Sequence, residues 1–135
     1  VDRLDSPYMK VTFDVTNHMR PDRIYSSGRF FRCVIATLGD RIGMFHIKDA
    51  QPVKGLVCHI DEVRMGTGIL DHETFIKASN DLEPWKLFSL EHFKGKDAWE
   101  NGYAYIQGIA DRIGHTWSDQ HCTRKWFEKN GKKNQ

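Results

Sequence analysis

The sequence predicts an α/β fold with parallel strands, because short apolar runs alternate with segments of helical period. The runs are MKVTFD (9–14), RIGMFHI (41–47) and KLFSLE (86–91), and each precedes a helical pattern. A βαβαβα order lays parallel strands side by side and covers them with helices. Short, mostly apolar runs are typical of strands that are buried on both faces. We therefore predict about three parallel βα units.

The helical segments have recognisable ends. Apolar residues of the first recur on one face over residues 30–38, and Gly39 ends it. In the second, DHETFIKASNDL, Asp71 is placed to cap the N-terminus. Asp97 and Glu100 form a capping-box pattern at the start of the third. The apolar stripe of this third helix consists of Trp99, Tyr103, Ile106, Ala110 and Ile113. A long loop is expected between the second strand and its helix.

Composition narrows the class of protein. The chain has 135 residues, of which 39% are hydrophobic, and this fits one globular domain with one core. A formal net charge of +2 is too small to indicate nucleic-acid binding, and no apolar stretch approaches the ~20 residues of a membrane span. The three cysteines are widely spaced, which favours a reducing cytoplasm over a disulfide framework or a thiolate zinc site. Residues 116–135 are expected to add a basic, helical C-terminal extension.

Each strand-like run ends in an ionisable side chain, namely Asp14, His46 and Glu91. The C-terminal ends of parallel strands open onto the binding crevice in β/α folds, so these three groups are expected to converge. Singly, each has an ordinary structural explanation, but their equivalent positions in successive units favour a shared site. Two carboxylates and an imidazole suit a divalent cation such as Mn²⁺, Mg²⁺, Co²⁺ or Zn²⁺.

Four segments in this order, TFDVTN, FHIKD, DEVRMGTGILD and SLEHF, resemble the second half of the xylose isomerase-like TIM barrel superfamily. The resemblance covers roughly residues 1–115 and implies the C-terminal half of a (β/α)₈ barrel. It further implies a metal held by Asp14, His46 and Glu91 together with a glutamate from an earlier strand. No strand-like run precedes that of Asp14, and a full barrel needs about 250 residues, so we expect the site to be incomplete in this chain.

The resemblance implies a sugar or sugar-phosphate isomerase or epimerase. Glu91 would be a catalytic residue that moves a proton next to the substrate carbonyl, through a metal-stabilised enediolate. A dehydratase begins with the same proton abstraction and is an open alternative. A half-barrel module without activity of its own, completed by a partner chain or a second copy, is another.

Three residues are candidates for substrate contacts. Asn17 lies where members of the epimerase branch carry a polar group near the substrate. Lys48 is expected on the same side of its strand as His46, within reach of a hydroxyl or phosphate. Arg64 lies in the long loop, and its guanidinium offers a fork of donors to an anionic or hydroxyl-rich substrate.

Several further residues have competing interpretations. His18, His59 and Glu62 lie in loops, Asp49 either orients a ligand or caps its loop, and His92 is expected to point away from Glu91. The glycines of Gly66-Thr67-Gly68 form a tight turn first and an anion-binding nest second. The aromatic residues are more often packing residues than a sugar-stacking face. They are Trp85, Trp99, Tyr103 and Tyr105.

Overall fold

The computed structural model describes Ser6 and the ranges 8–82 and 86–117. The strands are β1 (Val11–Asp14), β2 (Ile42–Ile47), β3 (Asp49–Val53), β4 (His59–Val63) and β5 (Leu87–Leu90). The helices are α1 (Ser27–Leu38), α2 (His72–Ser79) and α3 (Lys96–Ile113), with short 3₁₀ turns at Ile24–Ser26 and Gly39–Arg41. Residues 118–135 of the predicted C-terminal extension and Trp85 lie outside the described residues.

The predicted parallel sheet is confirmed. Its strand order is β1-β2-β5, and β2 pairs in parallel with both neighbours. Each of these three strands leads to one helix, so the molecule contains the three expected βα units. This arrangement is a partial TIM barrel in which consecutive units lie next to one another.

The core lies between the sheet and its helices and is built from buried isoleucine and phenylalanine side chains. Phe13, Phe45 and Phe88 are paired across the three strands and form one row. Phe31 of α1 lies 6.4 Å from Phe13, and Phe75 of α2 lies 5.0 Å from Phe45, measured between ring centroids. Both contacts are edge-to-face, a geometry that stabilises aromatic pairs by about 0.5–1.5 kcal/mol beyond area burial.

Part of the opposite face of the sheet is exposed to solvent, so the prediction that the strands are buried on both faces does not hold there. Thr12, Met44 and Leu87 are paired across this face, and Leu87 is 55% exposed. The apolar runs predicted two buried faces because Met44 and Leu87 are as apolar as the residues of the covered face.

Two of the predicted helix ends are correct and one is wrong. Helix α1 ends at Gly39, which adopts a positive φ of 51°, and the Asp71 side chain accepts the Thr74 N–H at 2.9 Å. Helix α3 begins earlier than predicted, because Gly95 at φ 91° turns the chain and no side chain caps the helix. Asp97 therefore lies within the first turn, where its charge still favours the helix dipole.

The predicted stripe of α3 is correct only in its C-terminal part. Ile106 and Ala110 are buried, whereas Trp99 and Tyr103 are 48% and 49% exposed and stack on each other with an interplanar angle of 11°. The packing interpretation is therefore wrong for these two rings. It holds for Tyr105, which is partly buried against the core.

The predicted long loop contains a β-hairpin. Strands β3 and β4 pair antiparallel from Asp49↔Val63 to Val53↔His59, and Lys48 alone separates β3 from β2. Pro52 lies within β3, and proline in a short polar run argues against a strand in sequence. The sequence therefore predicted a loop here and not a hairpin.

The base of the hairpin is fixed by a buried carboxylate. Asp49 is 1% exposed, and its Oδ2 accepts the N–H groups of Gly66 and Gly68 at 2.9 and 2.8 Å. Its Oδ1 accepts the N–H of Ala50 at 2.9 Å and that of Leu70 at 3.4 Å. The glycine turn is thus an anion nest whose anion belongs to the protein, and Asp49 caps the loop.

No helix among the described residues is long and apolar enough to cross a membrane.

We predict that Gly68→Ala destabilises the fold by roughly 1–3 kcal/mol, in the range of overpacking substitutions. A methyl group at residue 68 would overlap Asp49 Oδ1 and lie 2.5 Å from the carbonyl oxygen of Ala50. Urea unfolding measures the change in the free energy of unfolding.

Gly108→Ala is the matched control, because a methyl group there meets no atom within 4 Å. This exposed glycine lies inside α3, so the change should stabilise the protein by about 0.5–1 kcal/mol. Equal effects of the two substitutions would contradict the proposed role of the nest.

Candidate metal centre

Three side chains meet at the C-terminal end of the sheet. Asp14 is the last residue of β1 and pairs with His46 of β2, and Glu91 directly follows β5. His46 Nδ1 lies 3.0 Å from Glu91 Oε2 and 3.9 Å from Asp14 Oδ2. One ligand atom from each of the three residues lies within 4.8 Å of the others. The predicted convergence of these side chains is present.

The donor set fits a divalent cation. It consists of two carboxylate oxygens and one imidazole nitrogen, the ligand types that Zn²⁺, Mn²⁺ and related ions accept. Ligand atoms bound at about 2.0–2.2 Å from one ion lie roughly 3–4 Å from each other. The two distances from His46 Nδ1 are in this range, so the spacing of these ligand atoms is compatible with one shared ion.

Asp14 is held by its own loop. Its Oδ1 accepts hydrogen bonds from the Thr16 N–H at 2.9 Å, the Thr16 hydroxyl at 2.8 Å and the Asn17 N–H at 3.1 Å. Only Oδ2 faces the other site residues. Burial raises the pKa of Asp14, but hydrogen bonds from Lys48, Thr16 and the backbone of Asn17 together bring that pKa below its ordinary value.

Lys48 lies inside the same group, on the side of His46 as the strand alternation predicts. Its side chain is 5% exposed, and its Nζ lies 2.7 Å from Asp14 Oδ2 and 3.4 Å from Glu91 Oε2. Burial lowers the pKa of Lys48, but the hydrogen bonds and charges of Asp14, Glu62 and Glu91 together outweigh it, so the net change is upward. The ammonium is therefore charged and contacts both carboxylates.

The backbone of Lys48 is fixed by a histidine that the sequence interpretation missed. His72, at the start of α2, is 1% exposed, and its Nε2–H donates to the Lys48 carbonyl at 2.9 Å. The Tyr105 hydroxyl lies 3.5 Å from the other ring nitrogen, Nδ1. Burial raises the pKa of Tyr105, and the nearby charge of Asp49 raises it further. The position of His72 beside the cap residue Asp71 was the only signal available in the sequence.

A cavity of about 650 Å³ opens beside Glu91. Lys48 and Glu91 line it from the site, and Arg64 and Lys94 add two exposed cations. The remaining lining is a mixture of polar and apolar groups. These residues are Asp49, Glu62, Val63, Met65, His92, Phe93 and Ala98.

His92 lines this cavity too, so the prediction that it points away from Glu91 is wrong. Its φ of 61° is positive, which is uncommon for a residue with a side chain, and this conformation breaks the strand alternation after Glu91. Its Nδ1 contacts both carboxylate oxygens of Glu62, at 2.9 and 2.8 Å. The pair joins β4 of the hairpin to the segment that follows β5.

Two of the three residues predicted to contact a substrate line the cavity, and the third does not. Arg64 and Lys48 line the cavity, whereas the Asn17 side chain is exposed and is not among the described residues that line it. Asn17 reaches the site through its backbone, which donates to Asp14. His18 stacks on Phe13 at 5.7 Å between centroids, and His59 is exposed on the hairpin.

The model of the family described as xylose isomerase-like TIM barrel matches residues 1–109 of the chain. The chain belongs to this family. No curated protein and no solved structure matched the chain. Membership of the xylose isomerase-like family agrees with parallel strands whose C-terminal ends carry the polar residues, because TIM barrels place their sites at that end.

We predict that Asp14→Asn flattens the acid dependence of stability in protein treated with EDTA. A carboxyl group whose pKa is lowered by folding stabilises the native state above its unfolded pKa of about 3.9. That contribution is lost as the pH falls through the lower folded value.

Urea unfolding at a series of pH values from about 6 down to 3 measures this difference. The wild type should lose more of its free energy of unfolding than Asp14→Asn over this interval. Equal slopes for the two proteins would show that folding does not lower the pKa of Asp14.

Proposed function

We propose that this chain carries the metal centre of a sugar or sugar-phosphate isomerase or epimerase that works by proton transfer next to a carbonyl. One observation supports this most directly. Asp14, His46 and Glu91 lie within 4.8 Å of one another beside a cavity of about 650 Å³, at the C-terminal end of parallel strands. Family membership supports the fold of such an enzyme.

A proton next to a carbonyl is too weakly acidic for a carboxylate base unless the developing oxyanion is stabilised. A divalent cation held by Asp14, His46 and Glu91 would supply that stabilisation as a Lewis acid. Glu91 is the proposed base: its carboxylate takes the proton, and the C–H electrons form the double bond of an enediolate. The resemblance assigns the return of the proton to a glutamate of an earlier strand.

Binding of the substrate is proposed to involve the cations of the cavity. Arg64 offers paired donors to a phosphate or to neighbouring hydroxyls, and Lys48 offers an ammonium close to Glu91. Met65 and Phe93 supply apolar surface on the same lining and help to exclude water. Asn17 is proposed as a further contact, beside Asp14 at the edge of the site.

We expect solvent deuterium to enter pentuloses or hexuloses, free or phosphorylated, at the carbon next to the carbonyl. The exchange should require Mn²⁺, stop with EDTA and return when Mn²⁺ is added back. Proton NMR of the sugars in D₂O measures it. A product lighter by one water would favour the dehydratase. Absence of exchange in the Mn²⁺-loaded protein for every sugar would refute the isomerase proposal.

Glu91→Gln should lower the exchange rate about 10²–10⁴-fold, the range for loss of a positioned base. The substitution keeps the size of the side chain, so the fold should survive, and circular dichroism checks this. Glu100→Gln is the matched control, because Glu100 is exposed on α3 and pairs only with Lys96 among its described contacts. Unchanged exchange in Glu91→Gln would remove Glu91 from this role.

A half-barrel module that needs a partner is the second candidate function. Among the described strands, β1 and β5 each have a neighbour on one side only, and Thr12 and Leu87 on the sheet are exposed. Unpaired strand edges of this kind favour association. Size-exclusion chromatography with metal analysis tests this candidate: a metal-loaded monomer that exchanges deuterium would exclude it.

A further inference from the structure

The centre already contains a cation of its own. Lys48 Nζ contacts Asp14 Oδ2 at 2.7 Å and Glu91 Oε2 at 3.4 Å. These are the same two oxygens that face His46 Nδ1. A divalent ion shared by the three residues would therefore bind the atoms that the ammonium now holds.

The backbone fixes Lys48 in this position from both sides. Its carbonyl accepts the hydrogen bond from the buried His72, and the following residue, Asp49, is anchored by the backbone of Gly66 and Gly68. Because the backbone is held, the ammonium can move only through rotations within the aliphatic part of the side chain. Since Lys48 also lines the cavity, that movement leads towards the space proposed for the substrate.

The charge of the centre depends on this lysine. The carboxylates of Asp14 and Glu91 contribute two negative charges, and the ammonium of Lys48 compensates one of them. The affinity of an oxygen-rich site for divalent cations depends on the number of charged ligands. A positive charge 2.7 and 3.4 Å from the two ligand oxygens must oppose the binding of a second cation.

We propose that Lys48 is a built-in counter-cation that occupies the metal-facing oxygens of Asp14 and Glu91 and thereby weakens the affinity of the centre for divalent ions. This inference rests on the proposed metal-dependent function. A bound ion displaces the ammonium from Asp14 Oδ2 towards the cavity. Lys48 is therefore a positioning residue. Its positive charge offsets the repulsion between the two carboxylates when no ion is bound.

Isothermal titration with Mn²⁺ alone tests the inference. Lys48→Met should bind Mn²⁺ about tenfold or more tightly than the wild type, because the opposing charge is gone. Lys48→Arg keeps the charge and should stay near the wild-type affinity. Lys94→Met is the matched control, because Lys94 is an exposed lysine that lines the same cavity. Its affinity should change by less than about twofold, as expected for a charge screened by solvent.

A lysine with a merely structural role would give the opposite result, since its loss would disorder the carboxylates and weaken Mn²⁺ binding. Unchanged or weaker binding by a folded Lys48→Met would overturn the inference and leave the metal proposal intact. Tight binding by Lys48→Met with none by the wild type would support the inference. Absence of binding in every protein, wild type included, would refute the metal centre and the inference with it.

A measurement on the unaltered chain covers the case in which the methionine variant does not fold. Acetylation by acetic anhydride, read by mass spectrometry, reports how freely each lysine reacts. Mn²⁺ should increase the reaction of Lys48 at least about threefold, the change expected on release from a close ion pair, and leave that of Lys94 unchanged. Equal protection of Lys48 with and without bound Mn²⁺ would overturn the inference.

Discussion

Parallel pairing of β2 with both of its neighbours is the constraint on which the site depends. Because all three strands run in one direction, their C-terminal ends lie at one edge of the sheet, and Asp14 and His46 are direct partners in the register. A shift of one residue would turn either side chain to the phenylalanine face. The packing of that face against α1 and α2 therefore also fixes the geometry of the polar cluster on the other side.

The second constraint lies at the junction of Lys48 and Asp49, where the sheet passes directly into the hairpin. Lys48 points its charge into the polar cluster, and Asp49 is bound by the backbone of the glycine turn. The hairpin also contacts the segment after β5 through Glu62 and His92. Two separate anchors thus hold the hairpin beside the cavity. This explains how residues of a connection between β2 and α2 can line the cavity in fixed positions.

The sequence predicted the features that depend on periodicity and on strand ends. The three βα units, the cap by Asp71 and the meeting of Asp14, His46 and Glu91 follow from patterns that extend over few residues. The sequence did not predict the hairpin, the conformation of His92 or the hydrogen bond of His72. The hairpin and the hydrogen bond of His72 depend on contacts between residues that are far apart in sequence. The conformation of His92 depends on a positive φ, which a histidine in a sequence does not suggest.

Hydrogen bonding separates the candidate ligands from the carboxylate next to them. Asp49 also lines the cavity, but its two oxygens accept four backbone N–H groups and it is 1% exposed, so it has no free lone pair directed at an ion. Asp14 has only Oδ1 satisfied by its loop, and its Oδ2 meets a lysine that a metal can replace. A carboxylate whose partner is a movable cation can change partners, whereas one bound by fixed backbone groups cannot. This difference favours Asp14 over Asp49 as a candidate ligand and leaves Asp49 a structural role in the loop.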